Sequence, residues 1–173
     1  MKDYWLAKLI ASVGEVNSRK RLQKAIYLLQ LAGCPLQCDY ILHYYGPYSF
    51  ELAGLMDQLE GADIIKETPE QLGTDVVRYK TKIALKGRKA IISFEKTESG
   101  KHISEKITPF IPRFETLNGE DLWILELAAT VAYFHQNNWA EAQKQTASFK
   151  GVVIHDTNLK KAVKLARSFK KSA

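Results

Sequence analysis

Two amphipathic segments separated by a short aromatic linker constrain the fold of this chain more than any other feature. In the first segment Leu22, Ile26 and Leu29 recur at i, i+4 and i+7, the spacing of a helix face. The second segment follows Ser49, a favoured helix N-cap, and continues its apolar stripe through Leu52. Two helices cannot bury both stripes alone, so the chain must supply a third packing element.

A helix before these segments and a strand ribbon after them complete the predicted core. Apolar spacing predicts an opening helix that ends near Gly14. Residues 63–67 predict a short strand, residues 76–83 alternate as a half-buried strand, and the apolar run 90–94 predicts a further strand. The inner face of the alternating strand is expected to hold Val77, Tyr79, Thr81 and Ile83. We therefore expect a mostly α, α+β fold: a winged helix-turn-helix core with a basic β-wing and additional C-terminal helices.

Positive charge is concentrated on the predicted wing. Residues 76–106 hold nine Lys and Arg against three Asp and Glu, a balance that favours a polyanionic partner. The predicted nucleic-acid contacts are three outward residues of the strand and three at the wing tip: Arg78, Lys80, Lys82, Lys86, Arg88 and Lys89. Such contacts would be made to phosphates and would weaken with salt. A solvated cationic face is the alternative interpretation.

The second amphipathic segment argues against sequence-specific DNA reading. In a helix-turn-helix protein the second helix enters the major groove and reads bases through Arg, Lys, Asn or Gln. Residues 48–75 hold one basic residue against seven acidic ones, and no Lys or Arg lies between Tyr48 and Gly61. Carboxylates such as Glu51 and Asp57 repel phosphates.

The aromatic linker is the second candidate site. Tyr44, Tyr45 and Tyr48 surround a predicted Gly46-Pro47 turn, and tyrosine is favoured at protein interfaces because it combines a large apolar ring with a polar tip. These residues are the predicted protein-binding residues. Their alternative role is to cover the joint between the two helices.

The C-terminal half is expected to be a helical extension packed on the core. We divide the chain into a winged-helix core (1–96) and an extension (97–173) that form one structural unit. Residues 122–134 are apolar on almost every side, which predicts a helix buried on several sides, and Glu126 is the odd polar group within it. Structural pairing of that carboxylate is favoured over a catalytic role. A Lys-rich last helix is predicted from a Thr157 cap.

Four sequence segments resemble a known family. The segments RLQKAIYLLQ, HYYGPYSFELAGLMDQL, FEKTESGKHI and LELAATVAYF are together similar to the YwgA-like family of small winged-helix proteins, over roughly residues 9–169. The first two also resemble Panacea-type antitoxin domains, which have a KLQKLLYxAQ-like helix followed by a Gly-Pro turn. In those domains a small aliphatic residue usually follows that turn, where this chain has Tyr48. The resemblance implies a winged-helix fold and transfers no catalytic residue.

Several classes of function have no support in the sequence. Cys34, Cys38 and His43 do not match zinc-ligand spacing, so buried thiols are favoured over a metal site. No nucleophile-elbow, Walker, dinucleotide-binding or zinc-protease motif occurs, so we expect a protein that is not an enzyme and has no cofactor. No apolar run has the length of a membrane span, and no signal-peptide pattern opens the chain, so a cytoplasmic location is expected.

These observations leave two functions. The first is a non-enzymatic regulatory or antitoxin-like module that binds another protein. The alternative is a nucleic-acid-binding regulator that contacts DNA phosphates through its basic wing, with the Lys-rich last helix assisting. A homodimer through the last helix or the wing edge is also compatible with the sequence.

Overall fold

The computed structural model describes residues 1–170, which fold into a mostly helical α+β structure. Within these residues two small antiparallel sheets pair β1 with β2 and β3 with β4. The predicted α+β class is therefore confirmed. The helices are α1 Lys2–Val13, α2 Arg19–Leu31, α3 Phe50–Gly61, α4 Leu85–Glu95, α5 Glu98–Ile107, α6 Ile111–Gly119, α7 Leu122–Phe134, α8 Trp139–Lys150 and α9 Thr157–Phe169, with a 3₁₀ turn at Thr108–Phe110. The strands are β1 Ile41–His43, β2 Gly46–Tyr48, β3 Ile65–Gln71 and β4 Val77–Ile83.

Short polar side chains set the starts of several helices, including α2 and α3. The Ser18 hydroxyl accepts a hydrogen bond from the Arg21 amide, and the Ser49 hydroxyl accepts one from the Leu52 amide, both at 3.0 Å. Each bond satisfies an amide that has no partner inside its helix, which is why α2 and α3 begin where the sequence predicts. The cap of α9 is Asp156, one residue before the predicted Thr157.

Helix α7 is the centre of the core. It packs against α2, α8, α9 and strand β2, and residues from Ile124 to Ala132 are buried. The predicted burial on several sides is confirmed. Because α6 also packs on α1 and α2, the helices after residue 96 share one hydrophobic core with those before it. The division at residues 96 and 97 stays a prediction, and residues 171–173 of the predicted extension lie outside the described residues.

The β3–β4 ribbon is longer and less buried than predicted. Its register pairs Ile65 with Ile83 at the base and Gln71 with Val77 near the turn. At the base, Thr81 and Ile83 are buried, but Val77 and Tyr79 are exposed, so half of the expected inner face is wrong. The physical reason is that the far end of the ribbon extends beyond the helices. The base is held by a backbone bridge between Val16 and Thr81.

The predicted strand over residues 90–94 is wrong, because these residues belong to helix α4. Gly87 allows the helix to begin directly after β4, since a Cβ at that position would lie 2.2 Å from the Ile64 carbonyl oxygen. Phe94 then packs its ring 4.8 Å from that of Tyr4. Consequently the three basic residues expected at the wing tip lie on helix α4 instead: Lys86, Arg88 and Lys89.

The aromatic linker is a two-stranded hairpin. Gly46 and Pro47, expected to form the turn, belong to strand β2, and the turn residues are Tyr44 and Tyr45. Gly46 has a positive φ of 86°, a conformation that a residue without a Cβ adopts at little cost. The hairpin therefore presents two adjacent tyrosines at its tip.

Candidate functional site

Helix α2 holds the base of the hairpin through two buried polar side chains. The Gln23 side-chain amide donates to the Ser49 carbonyl and accepts from the Ser49 amide, each at 2.8 Å. The Lys24 ammonium donates to the Pro47 carbonyl at 2.7 Å. Gln23 and Lys24 lie off the apolar stripe of α2, yet both are buried because the hairpin packs on them.

Helix α7 supports the other side of the hairpin. A Cβ at Gly46 would lie 2.6 Å from the Thr130 hydroxyl and 3.6 Å from the Glu126 carbonyl oxygen. Only glycine fits this approach without displacing α7. The hairpin is thus clamped between α2 and α7, and its tip is presented in a defined position.

A buried carboxylate lies beneath the hairpin between two ammonium groups. Glu126 Oε1 accepts from the Lys150 ammonium at 2.5 Å, and Oε2 accepts from the Lys20 ammonium at 2.9 Å. The side chains of Glu126 and Lys150 are each 5% exposed. Lys150 also donates to the Tyr44 carbonyl at 3.0 Å, which connects the ion cluster to the hairpin tip. The preference for structural pairing of Glu126 agrees with these contacts.

The ion cluster carries an excess of positive charge. Lys24 is near enough for Glu126, Lys150 and Lys20 all to influence its ionisation. Burial is the main cause that lowers the pKa of Lys24 to about 8; Glu126 opposes this shift, and the ammonium groups of Lys150 and Lys20 add to it. Two lysines therefore pair with one carboxylate, and a third, Lys24, lies nearby in a dehydrated environment.

Exposed aromatic rings cover this cluster. We call the rings of Tyr44, Tyr45, Trp123 and Phe149 the hairpin patch. Tyr44 is 76% exposed and Tyr45 is 49% exposed. All four rings line one cleft of about 280 Å³, here the α7–α8 cleft, together with the residues of the ion cluster: Lys20, Glu126 and Lys150. The Lys20 ammonium lies 4.1 Å from the centre of the Tyr45 ring, within range of a cation–π interaction.

A second cleft lies on the other side of Lys20 and Tyr45. This α2–α3 cleft encloses about 170 Å³ between α2, α3 and the hairpin. Tyr48, the third predicted protein-binding residue, lines it and stacks edge-on against Phe50 with ring centres 5.1 Å apart. The structure therefore places Tyr44 and Tyr45 in the hairpin patch and Tyr48 in the neighbouring cleft.

The three predicted ribbon cations pair with local carboxylates. Glu70 accepts from Arg78 Nε and pairs with the Lys80 ammonium, both at 2.8 Å. Glu15 pairs with Lys82 at 2.9 Å and with Lys80 at 3.6 Å. Two carboxylates thus pair with three cations. This pairing lowers the net positive charge of the face and so reduces its attraction to phosphates.

The other three predicted nucleic-acid contacts behave differently. Lys86 donates to the Ala62 carbonyl at 2.8 Å. Arg88 and Lys89 are exposed on α4, and neither forms an ion pair with another residue in the range 1–170. The six predicted nucleic-acid contacts therefore fall into two sets, one on the β3–β4 ribbon and one on helix α4.

The acidic side chains of α3 pair with cations of other elements. Asp57 lies 2.8 Å from the Arg19 guanidinium, and Glu51 lies 2.5 Å from the Lys2 ammonium. Arg19 also forms a bidentate contact with Glu67, whose side chain is only 3% exposed. This network joins α2, α3 and the ribbon, and it leaves an exposed carboxylate at Asp57 on α3.

The two cysteines that the sequence offered as metal ligands are both buried. Cys34 and Cys38 are buried free thiols, and burial raises the pKa of each to about 11. Across the described range, 1–170, no three His, Cys, Asp or Glu side chains are grouped so that they could hold a metal ion. The helices in that range all fall short of the length and apolar character needed to cross a bilayer.

Sequence reasoning missed most of the cluster beneath the hairpin. Lys20, Lys24, Lys150, Trp123 and Phe149 were not among the predicted site residues. Glu126 was the available signal, because a carboxylate in an apolar helix requires a partner. Its partners could not be identified from the sequence, since Lys20 is 106 positions away along the chain.

Comparison with known proteins confirms the expected resemblance to the YwgA-like family. The chain is 28% identical over 133 residues to the uncharacterized protein YwgA of Bacillus subtilis (strain 168), which amounts to 75% of this chain and 72% of that protein. It is also 29% identical over 141 residues to a DNA ADP-ribosyl glycohydrolase of Thermus aquaticus, which amounts to 79% of this chain but 37% of that protein. No family model matches the chain. The resemblance to Panacea-type domains stays a prediction.

Proposed function

We propose that this chain is a non-enzymatic regulatory module that binds a partner protein through the hairpin patch. The observation that carries the proposal is the combination of exposed rings at Tyr44 and Tyr45 with a backbone clamped by Lys24 and Gly46. Aromatic rings on a rigid support bind with a small entropic cost, because little freedom is lost on association. An antitoxin-like role, in which the module binds and restrains its partner, is the form of regulation suggested by the Panacea resemblance.

We further propose that the N-terminal part is a winged-helix core. Its elements run in the order α1, α2, α3 and the β3–β4 ribbon. The bridge between Val16 and Thr81 supports this proposal, because it adds a short extended segment between α1 and α2 to the ribbon. In this arrangement the β1–β2 hairpin is an insertion between α2 and α3.

The relative from Thermus aquaticus supports a modular role. The matched segment is 79% of this chain but only 37% of that longer protein, so a segment of this kind occurs beside other sequence in a protein named for its action on DNA. We propose that in this chain such a segment serves to bind and regulate. The glycohydrolase activity is not proposed for this chain.

The test is partner recovery with matched tyrosine variants. The tagged chain is purified from its native cells as wild type, as Tyr44→Ser with Tyr45→Ser, and as Tyr79→Ser. Tyr79 is 48% exposed on the ribbon and so matches Tyr45 in exposure but lies outside the hairpin patch. We expect a near-stoichiometric partner for the wild type and Tyr79→Ser, and at least a tenfold lower recovery for the double variant, roughly the effect of losing 1.4 kcal/mol of binding free energy. Equal recovery with all three proteins would refute the proposal.

Nucleic-acid binding is the second candidate function. It is favoured by the exposed cations of α4, Arg88 and Lys89, and by the DNA-directed activity named for the Thermus aquaticus relative. Binding to a labelled DNA duplex would be measured at two salt concentrations. We expect Arg88→Glu with Lys89→Glu to weaken binding more than Lys80→Glu with Lys82→Glu, because the ribbon lysines already face Glu15 and Glu70. Absence of salt-dependent binding would remove this candidate.

A homodimer stays a prediction, but one of the two surfaces proposed for it, the apolar face of α9, is not available. The apolar face of α9, including Leu159 and Phe169, is buried within the chain against α7 and its neighbours. The edge of the β3–β4 ribbon is the remaining predicted surface.

A further inference from the structure

The α2–α3 cleft is an apolar cavity that opens beside the hairpin. Leu22 of α2 and Leu52 and Met56 of α3 form its buried lining, and the rings of Tyr45 and Tyr48 also line it. Apolar surfaces of this kind gain free energy when an apolar group replaces water. The chemistry of the lining therefore favours an apolar occupant.

The size of the cleft limits that occupant. Its volume of about 170 Å³ is close to that of an engineered cavity of about 150 Å³ in another protein, which is lined by apolar side chains and binds benzene. One phenyl ring or one branched aliphatic side chain fits this space. Drug-sized ligands occupy pockets of roughly 300 to 1,000 Å³, so a nucleotide is too large to be enclosed.

The positive charge at the entrance of the α2–α3 cleft determines which chemical group can lie next to the apolar side chain that occupies the cleft. Lys20 lines both clefts, and its side chain is 35% exposed, so its ammonium can be reached from solvent. An ammonium has three donors, and Lys20 gives one of them to Glu126. Lys150 also pairs with Glu126, so two ammonium groups share one carboxylate, and this excess of positive charge favours a carboxylate in an incoming group.

Arg19 contributes little to this selection although it also lines the cleft. Its guanidinium pairs with Asp57 at 2.8 Å, with Glu67 at 2.6 Å and with Glu60 at 3.7 Å. Its charge is therefore compensated within the chain. Lys20 differs from Arg19 because it shares its carboxylate, Glu126, with a second ammonium group, that of Lys150.

We infer that the partner protein inserts one phenyl or branched aliphatic side chain into the α2–α3 cleft and places an adjacent Asp or Glu carboxylate on Lys20. This inference rests on the proposed function, because it specifies the chemistry of the segment that the hairpin region recognises. Tyr45 separates the two clefts and contacts Lys20, so the occupied cleft and the hairpin patch form one continuous surface.

Capped tetrapeptides test the inference without knowledge of the partner. The full chain, labelled with ¹⁵N, is titrated with acetyl-Gly-Asp-Phe-Gly-amide, with the same peptide carrying Lys in place of Asp, and with the same peptide carrying Ala in place of Phe. We expect the first peptide to shift amide signals of α2, α3 and the hairpin saturably. The peptides that lack the carboxylate or the ring are expected to bind at least tenfold more weakly.

Two variants locate the binding. Ala53 is half-buried and lines the cleft, so Ala53→Trp is expected to fill it and to lower the affinity at least tenfold, whereas Ala140→Trp, on the exposed surface of α8, is expected to change it less than twofold. Lys20→Gln is expected to remove the preference for Asp over Lys in the peptide.

The outcomes separate this inference from the proposed function. Equal binding of the Asp and Lys peptides, or no saturable shift at the cleft, would overturn the inference, and this comparison requires no variant to fold. Such a result combined with loss of the partner in the Tyr44→Ser, Tyr45→Ser protein would leave the proposed function intact. Peptide binding at the cleft combined with unchanged partner recovery would instead refute the proposed function.

Discussion

Replacement of Lys24 by Met should change how the stability of the protein depends on pH. Lys24 is 2% exposed, and its pKa is lowered from 10.5 to about 8 in the folded chain. At pH values between these two pKa values, the unfolded chain binds more protons than the folded chain. The Lys24 contribution to the free energy of unfolding therefore rises with pH. From about pH 7 to about pH 10 this contribution should rise by roughly 2 to 3 kcal/mol.

The difference between wild type and variant isolates this effect. Met has a similar length and no charge, and loss of the hydrogen bond to the Pro47 carbonyl should cost about 1 to 3 kcal/mol with little dependence on pH. The thiols of Cys34 and Cys38, whose pKa values are raised to about 11, lower stability as pH rises from 9, but they do so in both proteins.

Urea unfolding at constant ionic strength provides the measurement. The free energy of unfolding of the wild type minus that of Lys24→Met should increase by roughly 2 to 3 kcal/mol across this pH range. A difference that changes by less than about 0.5 kcal/mol would refute the reasoning that Lys24 is held charged in a dehydrated site.

Three further substitutions, one of them a control, test the support of the site. Gly46→Ala should lower the free energy of unfolding by about 2 to 4 kcal/mol, because φ is 86° and the new Cβ would meet Thr130, whereas Gly54→Ala in α3 meets nothing and should raise it by up to about 1 kcal/mol. Urea unfolding measures both, and equal effects would contradict the clamp. Arg19→Ala should cost about 2 kcal/mol by leaving the buried Glu67 carboxylate without its cation, and no measurable loss would show that this pairing is energetically neutral.

Local chemistry explains which parts of the fold could be predicted. Helices α2 and α3 begin directly after their N-caps, Ser18 and Ser49, whose hydroxyls accept hydrogen bonds from amides three residues on, so the information lies within a few positions of the chain. Helix α4 could not be predicted in this way. Its start depends on the close approach of Gly87 to the Ile64 carbonyl, and its packing depends on Tyr4, far away in the sequence.

The candidate site shows the same division. The concentration of tyrosines in the linker was sufficient to predict Tyr44 and Tyr45 as protein-binding residues, because it can be read from a few consecutive positions of the chain. The lysines beneath them were not recognised, since their proximity to Glu126 arises only when α2, α7 and α8 pack together. The ion pairs of the ribbon cations were not recognised for the same reason: Glu15, which pairs with Lys82, lies before α2 and far from the ribbon in sequence.

The central claim is that the partner contacts the hairpin tip. Incorporation of the photoreactive residue p-benzoylphenylalanine at Tyr45 or, in a separate protein, at Tyr79 tests it directly in native cells. Irradiation should produce a covalent adduct with the partner from position 45 and none from position 79. An adduct from position 79 alone, or none from either position, would contradict the account.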